Sequence, residues 1–185
     1  MAIATLTVRE IAALVGLDEA QVRKEVEHGL AGSGSPPRFN FADAVYFGTL
    51  AKLGLHLGIE DRRMLHGVIA GAMSGRKPPA RIEMSPVLDL KLGEVAETIG
   101  DRLEDFEVWK AKLITDDRLL GGEPVFPKSR LAVRNIGRQL LKGVPAAELQ
   151  KEYPYLKDQD LEFAKLYTLA YPKMGRPREG QASAR

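Results

Sequence analysis

The sequence predicts a mainly α protein in which two helix-turn-helix units are joined by a short β-strand and a long amphipathic helix. Apolar residues recur at three- and four-residue spacing through most of the chain, which is the period of a helix face. Glycine and proline divide the chain into blocks, and only one stretch alternates with the period of two that indicates a strand. The predicted units are residues 1–75, 76–115 and 116–171, followed by a basic, disordered tail at 172–185.

The composition is that of an ordinary globular protein of 185 residues, with 44% hydrophobic and 28% charged residues. The chain has no cysteine, which excludes disulfides and thiolate metal sites and is consistent with a reducing compartment. No apolar run is long enough to span a membrane, and no leader-like segment begins the chain, so we expect a cytoplasmic protein. The net charge is only +2, so any contact with nucleic acid must come from local clusters of positive charge.

The first block opens with two short predicted helices. Thr7 and Glu10 form a capping box that begins the first helix, and Gly16 breaks it. Asp18 and Gln21 repeat the capping pattern at the start of the second helix. Two short helices joined by a tight glycine-containing turn indicate a helix-turn-helix, whose second helix enters the major groove of DNA.

The outward residues of this second helix are therefore candidate DNA contacts. Gln21 could pair with adenine, and Arg23 or Lys24 could read guanine or hold a phosphate. The alternative is that these side chains form a solvated face beside Glu25 and Glu27.

The segment that follows contains Arg38 and Phe39, then a helical run, then the pair Leu53-Gly54. In this order, over about residues 5–60, the chain resembles the MerR-type DNA-binding module, in which a short wing with a basic and an aromatic residue precedes a helix and a leucine–glycine turn. The resemblance implies that Arg38 is a wing residue that contacts phosphate. The Gly/Ser/Pro run at 32–37 departs from the pattern of that module.

The middle block indicates that the protein forms an oligomer. Residues 82–92 alternate between apolar and polar, which indicates a half-buried strand, and Pro86 within it predicts an edge or a bulge. A lone strand cannot pair its own backbone, and residues 123–126 are the one other candidate strand in the sequence. The simplest solution is pairing with a second subunit, so we expect a homodimer. The helix after it has an apolar stripe that is either an ordinary core stripe or a dimer seam; its members are Val95, Ile99, Leu103, Phe106, Trp109 and Leu113.

The third block predicts a second helical hairpin. A helix with Ile136, Leu140 and Leu141 buried ends at Gly143. Pro145 then begins a short helix over 146–152. A last helix begins near residue 158, after a Tyr-Pro-Tyr-Leu turn at 153–156.

Several residues of this block match the pattern of one family; they are Gly121, Gly122, Pro124, Val125, Arg130, Val133, Gly143, Tyr153, Pro154 and Leu156. Over about residues 116–171 the chain resembles a small bacterial helix-turn-helix domain, long labelled a domain of unknown function, that is associated with PIN-type toxins as a VapB-like antitoxin. Residues 128–133 depart from the family pattern because they lack its glycine and proline. A MerR-like first block joined to this domain is also a whole-chain arrangement of that family.

Basic residues in the second half are further candidates. The residues expected to point outward from this hairpin, where they either contact DNA or are solvated, are Arg134, Asn135, Arg138 and Gln139. Arg130 is a further candidate DNA contact. Arg176 and Arg178 lie in a Gly-Arg-Pro-Arg sequence like the centre of an AT-hook. They could enter a minor groove, face the catalytic carboxylates of a toxin, or belong to a solubilising tail.

The sequence contains no pattern typical of an enzyme. Its three histidines do not have metal-ligand spacing, and neither a glycine-rich phosphate loop nor a nucleophile elbow is present. We therefore predict no catalytic residue, no metal and no cofactor.

The family resemblance implies the antitoxin of a type II toxin–antitoxin pair, which neutralises a PIN-like ribonuclease and represses its own operator DNA. Two alternatives stay open. The first is a MerR-like transcriptional regulator without a toxin partner, and the second is an adaptor that binds only protein.

Overall fold

The computed structural model of the protein describes residues 5–75, 78–85, 88–118 and 120–173. The described residues form eight helices and one two-stranded sheet, so the prediction of a mainly α protein is confirmed. The elements in chain order are α1 (Val8–Val15), α2 (Glu19–Glu27), α3 (Phe41–Leu53), α4 (Ile59–Met73), β1 (Ile82–Ser85), β2 (Leu88–Leu90), α5 (Leu92–Lys112), α6 (Val133–Leu141), α7 (Ala146–Glu152) and α8 (Asp158–Ala170).

The two predicted capping boxes begin the first two helices. The Thr7 hydroxyl accepts from the Glu10 backbone N–H at 3.2 Å, and the Glu10 carboxylate accepts from the Thr7 backbone N–H at 2.8 Å. Gly16 ends α1 with a φ of 75°, in the left-handed region that favours glycine. Asp18 and Gln21 form the second box, so only three residues separate the end of α1 from the start of α2. The tight turn predicted for a helix-turn-helix is present.

A short antiparallel ladder lies between α2 and α3, where the wing is predicted. Ser33 and Arg38 exchange two backbone hydrogen bonds of 2.9 and 2.8 Å. The next residue, Phe39, pairs with Leu6, immediately before α1. Both Phe39 and Leu6 are buried, so this ladder is fixed to the core of the first block.

The prediction of a lone strand over 82–92 is wrong. The stretch forms β1 and β2, which pair with each other in an antiparallel hairpin with an irregular register between Glu83 and Ser85. Pro86 lies outside the described residues. Because β1 and β2 satisfy each other's backbone hydrogen bonds within one chain, neither strand needs to pair with a second subunit. The argument for a homodimer from an unpaired strand therefore fails. The homodimer stays a prediction without that support.

The apolar stripe of α5 belongs to the core of the chain. Val95, Ile99 and Phe106 are buried, and Ile99 packs against α3 at Gly48. The other three residues of the stripe are partly buried against the same core. Of the two alternatives for this stripe, the structure supports ordinary core packing.

The first and last blocks pack together. α1 lies against α8 and contacts α5, while α6 packs against α8. The Tyr171 hydroxyl, just after α8, donates to the Glu10 carboxylate on α1. The Arg102 guanidinium on α5 donates to the backbone carbonyl of Leu14 at 2.7 Å. One hydrophobic core therefore includes residues of all three blocks.

The third block follows its predicted boundaries closely. Gly143 has a φ of 90° just after α6, and Pro145 is the N-cap of α7. The prediction that Leu141 is buried is wrong, because its side chain is 43% exposed. Five residues of helix place Leu141 about 140° around the axis from the buried Ile136.

Candidate nucleic-acid and partner interface

The predicted recognition helix α2 has one buried and one solvent-facing side. Val22 is fully buried, whereas Gln21, Arg23 and Lys24 are exposed, as the helical period requires. The three side chains that the sequence assigns to DNA contact are therefore accessible along one helix.

Glu19 at the start of α2 joins two of the basic residues near this surface. Its carboxylate accepts from Arg9 Nε at 3.0 Å and from Arg23 Nη2 at 3.3 Å. All three side chains are substantially exposed, so these ion pairs contribute at most about 1 kcal/mol each. Arg23 can therefore exchange Glu19 for a phosphate at little cost.

Gln21 has a structural role that constrains its predicted contact with adenine. Its Oε1 accepts a hydrogen bond from the Asp18 backbone N–H at 3.0 Å. Pairing with adenine needs both the carbonyl and the amino group of the side chain. The capping contact occupies one lone pair of that carbonyl and fixes its direction, so Gln21 must share or leave the cap to read a base.

Lys24 and Arg38 are the basic residues among the predicted DNA contacts of the first block that have no ion pair among the described residues. Lys24 is exposed on α2 and Arg38 is exposed on the wing. Among the described residues, neither side chain has an acidic partner within 4.0 Å. Both cations are therefore available to a phosphate without breaking an internal ion pair.

A buried polar network, which sequence reasoning missed, supports α2 from behind. Glu25 is buried and so does not belong to the exposed face beside Arg23 and Lys24, for which both alternatives stay open. The Tyr46 hydroxyl on α3 donates to Glu25 at 2.8 Å, and the Arg62 guanidinium on α4 donates to its other oxygen. Burial and the hydrogen bond to Glu25 raise the pKa of Tyr46. These contacts join α2 to two further helices.

A second polar contact between helices fixes the base of the wing. His66 Nε2 on α4 lies 2.9 Å from Asp43 Oδ1, and the backbone N–H of Asn40 donates to Asp43 at 2.9 Å. Burial raises the pKa of Asp43, but the hydrogen bonds from His66 and Asn40 outweigh it and the pKa is lowered. His66 and Asp43 are 23 positions apart in the chain, so no local sequence pattern could predict this contact.

The prediction that Arg134 points outward is wrong. Its side chain on α6 is only 17% exposed. Its guanidinium donates to Glu123 at 2.7 Å and to the Tyr171 backbone carbonyl at 2.6 Å, and it lies over the Tyr167 ring. Arg134 therefore links the loop before α6 to the end of α8. The signal in the sequence was Gly137, a glycine inside a predicted helix, which indicates a close approach of another element. In the structure this glycine is buried.

Arg138 is exposed, as predicted, and Arg130 is exposed as well. They line a groove of about 880 Å³ between the loop before α6, the outer side of α6 and the end of α8. Glu19 at the start of α2 also lines this groove. The structure therefore places the start of α2 beside the predicted basic residues of the third block, although more than 100 residues separate them.

Arg176 and Arg178 lie outside the described residues. No group of three or more histidine, aspartate or glutamate side chains in the described ranges could hold a metal ion. Within the same ranges, no helix has both the length and the apolarity needed to cross a membrane.

Comparison with known proteins gives one similarity. Residues 114–168 match the family DUF433, which is described as a protein of unknown function. No curated protein matches the chain. No solved structure matches it either. The matched segment begins in the loop after α5 and ends within α8, so it includes α6, α7 and most of the groove-lining loop.

Proposed function

We propose that the protein is the antitoxin and repressor of a type II toxin–antitoxin pair, which binds operator DNA and neutralises a PIN-like ribonuclease. The observation that carries the DNA-binding half is the arrangement of the first block. A helix-turn-helix presents Arg23 and Lys24, and an adjoining ladder presents Arg38, above a buried core.

The buried network under α2 supports this half of the proposal. A recognition helix must keep its position while its outer face exchanges water for phosphate and base edges. Glu25 holds α2 to α3 and α4 through Tyr46 and Arg62, while Arg23 and Lys24 on the opposite side of α2 stay exposed.

The antitoxin half rests on the sequence resemblance of the third block to the VapB-like domain. The matched family has no stated activity, so it supports the existence of a conserved domain unit and not its partner. In this pair the toxin cleaves RNA, and the antitoxin only binds the toxin and the operator DNA.

A gel shift of the pure protein on its own upstream DNA, measured across a salt series, tests the DNA-binding half. The double variant K24A/R38A should bind at least tenfold more weakly, and its salt slope should fall by about 2 because two phosphate contacts are lost. The matched control is Lys151→Ala, an exposed cation on α7, which should leave both quantities unchanged.

The outcomes separate the three functions considered. A salt-sensitive, sequence-preferring shift that the double variant loses supports the repressor. If the shift is present but the protein encoded beside the gene is no ribonuclease and does not co-purify, the regulator without a toxin is correct. An absent or salt-insensitive shift contradicts DNA binding and supports the adaptor.

A further inference from the structure

The groove beside α6 is not explained by the helix-turn-helix, and its charge is unbalanced. Four cations line it, Arg130, Arg134, Arg138 and Lys173, against the two carboxylates of Glu19 and Glu123, which leaves a net charge of +2.

Both carboxylates are already neutralised by their own partners. Glu123 is held by Arg134 at 2.7 Å and by Lys173 at 3.5 Å, and Glu19 is held by Arg9 and Arg23. Burial raises the pKa of Glu123, but the hydrogen bond from Arg134 outweighs it and the pKa is lowered, so this carboxylate stays charged.

Arg130 and Arg138 are the unpaired charges of the groove. No acidic side chain in the described part of the chain lies within 4.0 Å of either guanidinium. Arg138 Nε donates only to the Arg134 backbone carbonyl, at 3.2 Å. Two guanidiniums with free donors that line the same groove can each bind a carboxylate of a ligand in bidentate geometry.

The groove also exposes large apolar side chains, which a phosphate backbone would not cover. Leu120, Leu141 and Leu169 line it and are 58%, 43% and 42% exposed. They come from three different elements, so tertiary folding and not one amphipathic helix creates this patch. Exposed apolar residues grouped beside charged ones are typical of protein-binding surfaces.

We propose that this groove is the docking site for an acidic segment of a protein partner, which inserts apolar side chains between the three leucines while its carboxylates pair with Arg130 and Arg138. The inference deepens the proposed function and rests on it only for the partner's identity as the toxin. A nucleic acid is the competing ligand, and the leucines argue against it.

The test uses fluorescent helical peptides with the whole chain. One peptide has leucines at a spacing of three and four residues with glutamates between them, and its matched counterpart has glutamines in place of the glutamates. We expect saturable binding of the acidic peptide, about tenfold tighter than binding of the glutamine peptide. Amide chemical shifts should change in α6, at the end of α8 and in the loop before α6.

Two groove variants assign the contacts. R130E/R138E should weaken binding of the acidic peptide at least tenfold. Leu169→Asp should weaken it by a similar factor, and the protein should stay folded because the Leu169 side chain is exposed. The controls are Lys151→Glu on α7 and Leu55→Asp, an exposed leucine before α4, and both should leave the affinity unchanged.

Three results would overturn the groove proposal: no saturable binding of the acidic peptide, equal affinity for both peptides, or binding that R130E/R138E leaves intact. If duplex DNA binds and R130E/R138E abolishes that binding while the acidic peptide does not bind, the groove is a nucleic-acid site. The gel shift with K24A/R38A is independent of all of these, so failure of the groove and failure of the proposed function are distinguishable.

Discussion

At the scale of single residues, Glu10 shows how one side chain serves two purposes. Its carboxylate caps α1 through Thr7 and also accepts from the Tyr171 hydroxyl beyond α8, 161 residues away in the chain. Burial raises the pKa of Glu10, but the hydrogen bonds from Tyr171 and Thr7 outweigh it and the pKa is lowered from its ordinary value of 4.5. The charged form is therefore the one that stabilises the fold.

Glu10→Gln should lower the free energy of unfolding by about 1–3 kcal/mol at neutral pH, because charge-assisted hydrogen bonds become neutral ones. The stability that Glu10 contributes is fully present above pH 4.5, the ordinary pKa of a glutamate. It is lost as the pH falls through the lower pKa that Glu10 has in the folded protein. The difference between wild type and variant should therefore shrink in acid. Denaturant titrations at neutral and acid pH measure it.

The control for this prediction is Glu97→Gln, an exposed glutamate on α5. It should change stability by less than about 0.5 kcal/mol at either pH. A Glu10 variant as stable as this control, or a difference that grows in acid, would contradict the assigned role of Glu10.

At the scale of elements, the contact between α6 and α8 depends on a glycine. A Cβ atom at position 137 would lie 2.2 Å from the Ala164 backbone carbonyl and 2.0 Å from the Thr168 hydroxyl. Backbone atoms cannot yield as a flexible side chain can, so α6 could accept a methyl group there only by moving away from α8.

Gly137→Ala should therefore destabilise the protein by about 1–3 kcal/mol, although alanine is the better helix former. Gly67→Ala is the matched control, because that glycine lies in the middle of α4 with open space around it. It should raise stability by about 0.5–1 kcal/mol. If both substitutions stabilise, the close approach of α6 and α8 is wrong.

At the scale of the whole molecule, an aromatic cluster joins the middle and last blocks. Trp109 on α5 stacks on Phe163 of α8 with ring centroids 5.7 Å apart, and Phe106 stacks on Tyr171 at 6.3 Å. Because Tyr171 also binds Glu10 on α1, the same cluster connects to the first block. The three sequence blocks are therefore coupled in one packed body.

This coupling predicts a single cooperative unfolding transition. Trp109 is the only tryptophan, so its fluorescence reports the α5–α8 contact, while far-ultraviolet circular dichroism reports all helices. The two signals should give coincident midpoints. Tyr171→Phe should lower both midpoints together, since it removes the hydroxyl that donates to Glu10. Separate transitions would show that the first block folds independently of the last.

The local features of this protein follow from short stretches of its amino-acid sequence. Capping boxes at Thr7 and Asp18, the stop at Gly143 and the start of α7 after Pro145 all follow from hydrogen bonds and backbone preferences within a few residues. Helical period likewise identified the exposed face of α2 correctly. The mainly α class follows from the same local rules.

Contacts between side chains and strands that are distant in the chain depend on the tertiary structure. The ion pair that turns Arg134 inward, the burial of Glu25 under Tyr46 and the pairing of β1 with β2 each depend on partners that no local pattern specifies. The groove exists because α8, the loop before α6 and the start of α2 meet beside α6. Periodicity fixes the direction of a side chain around its own helix, but packing in three dimensions decides what that side chain contacts.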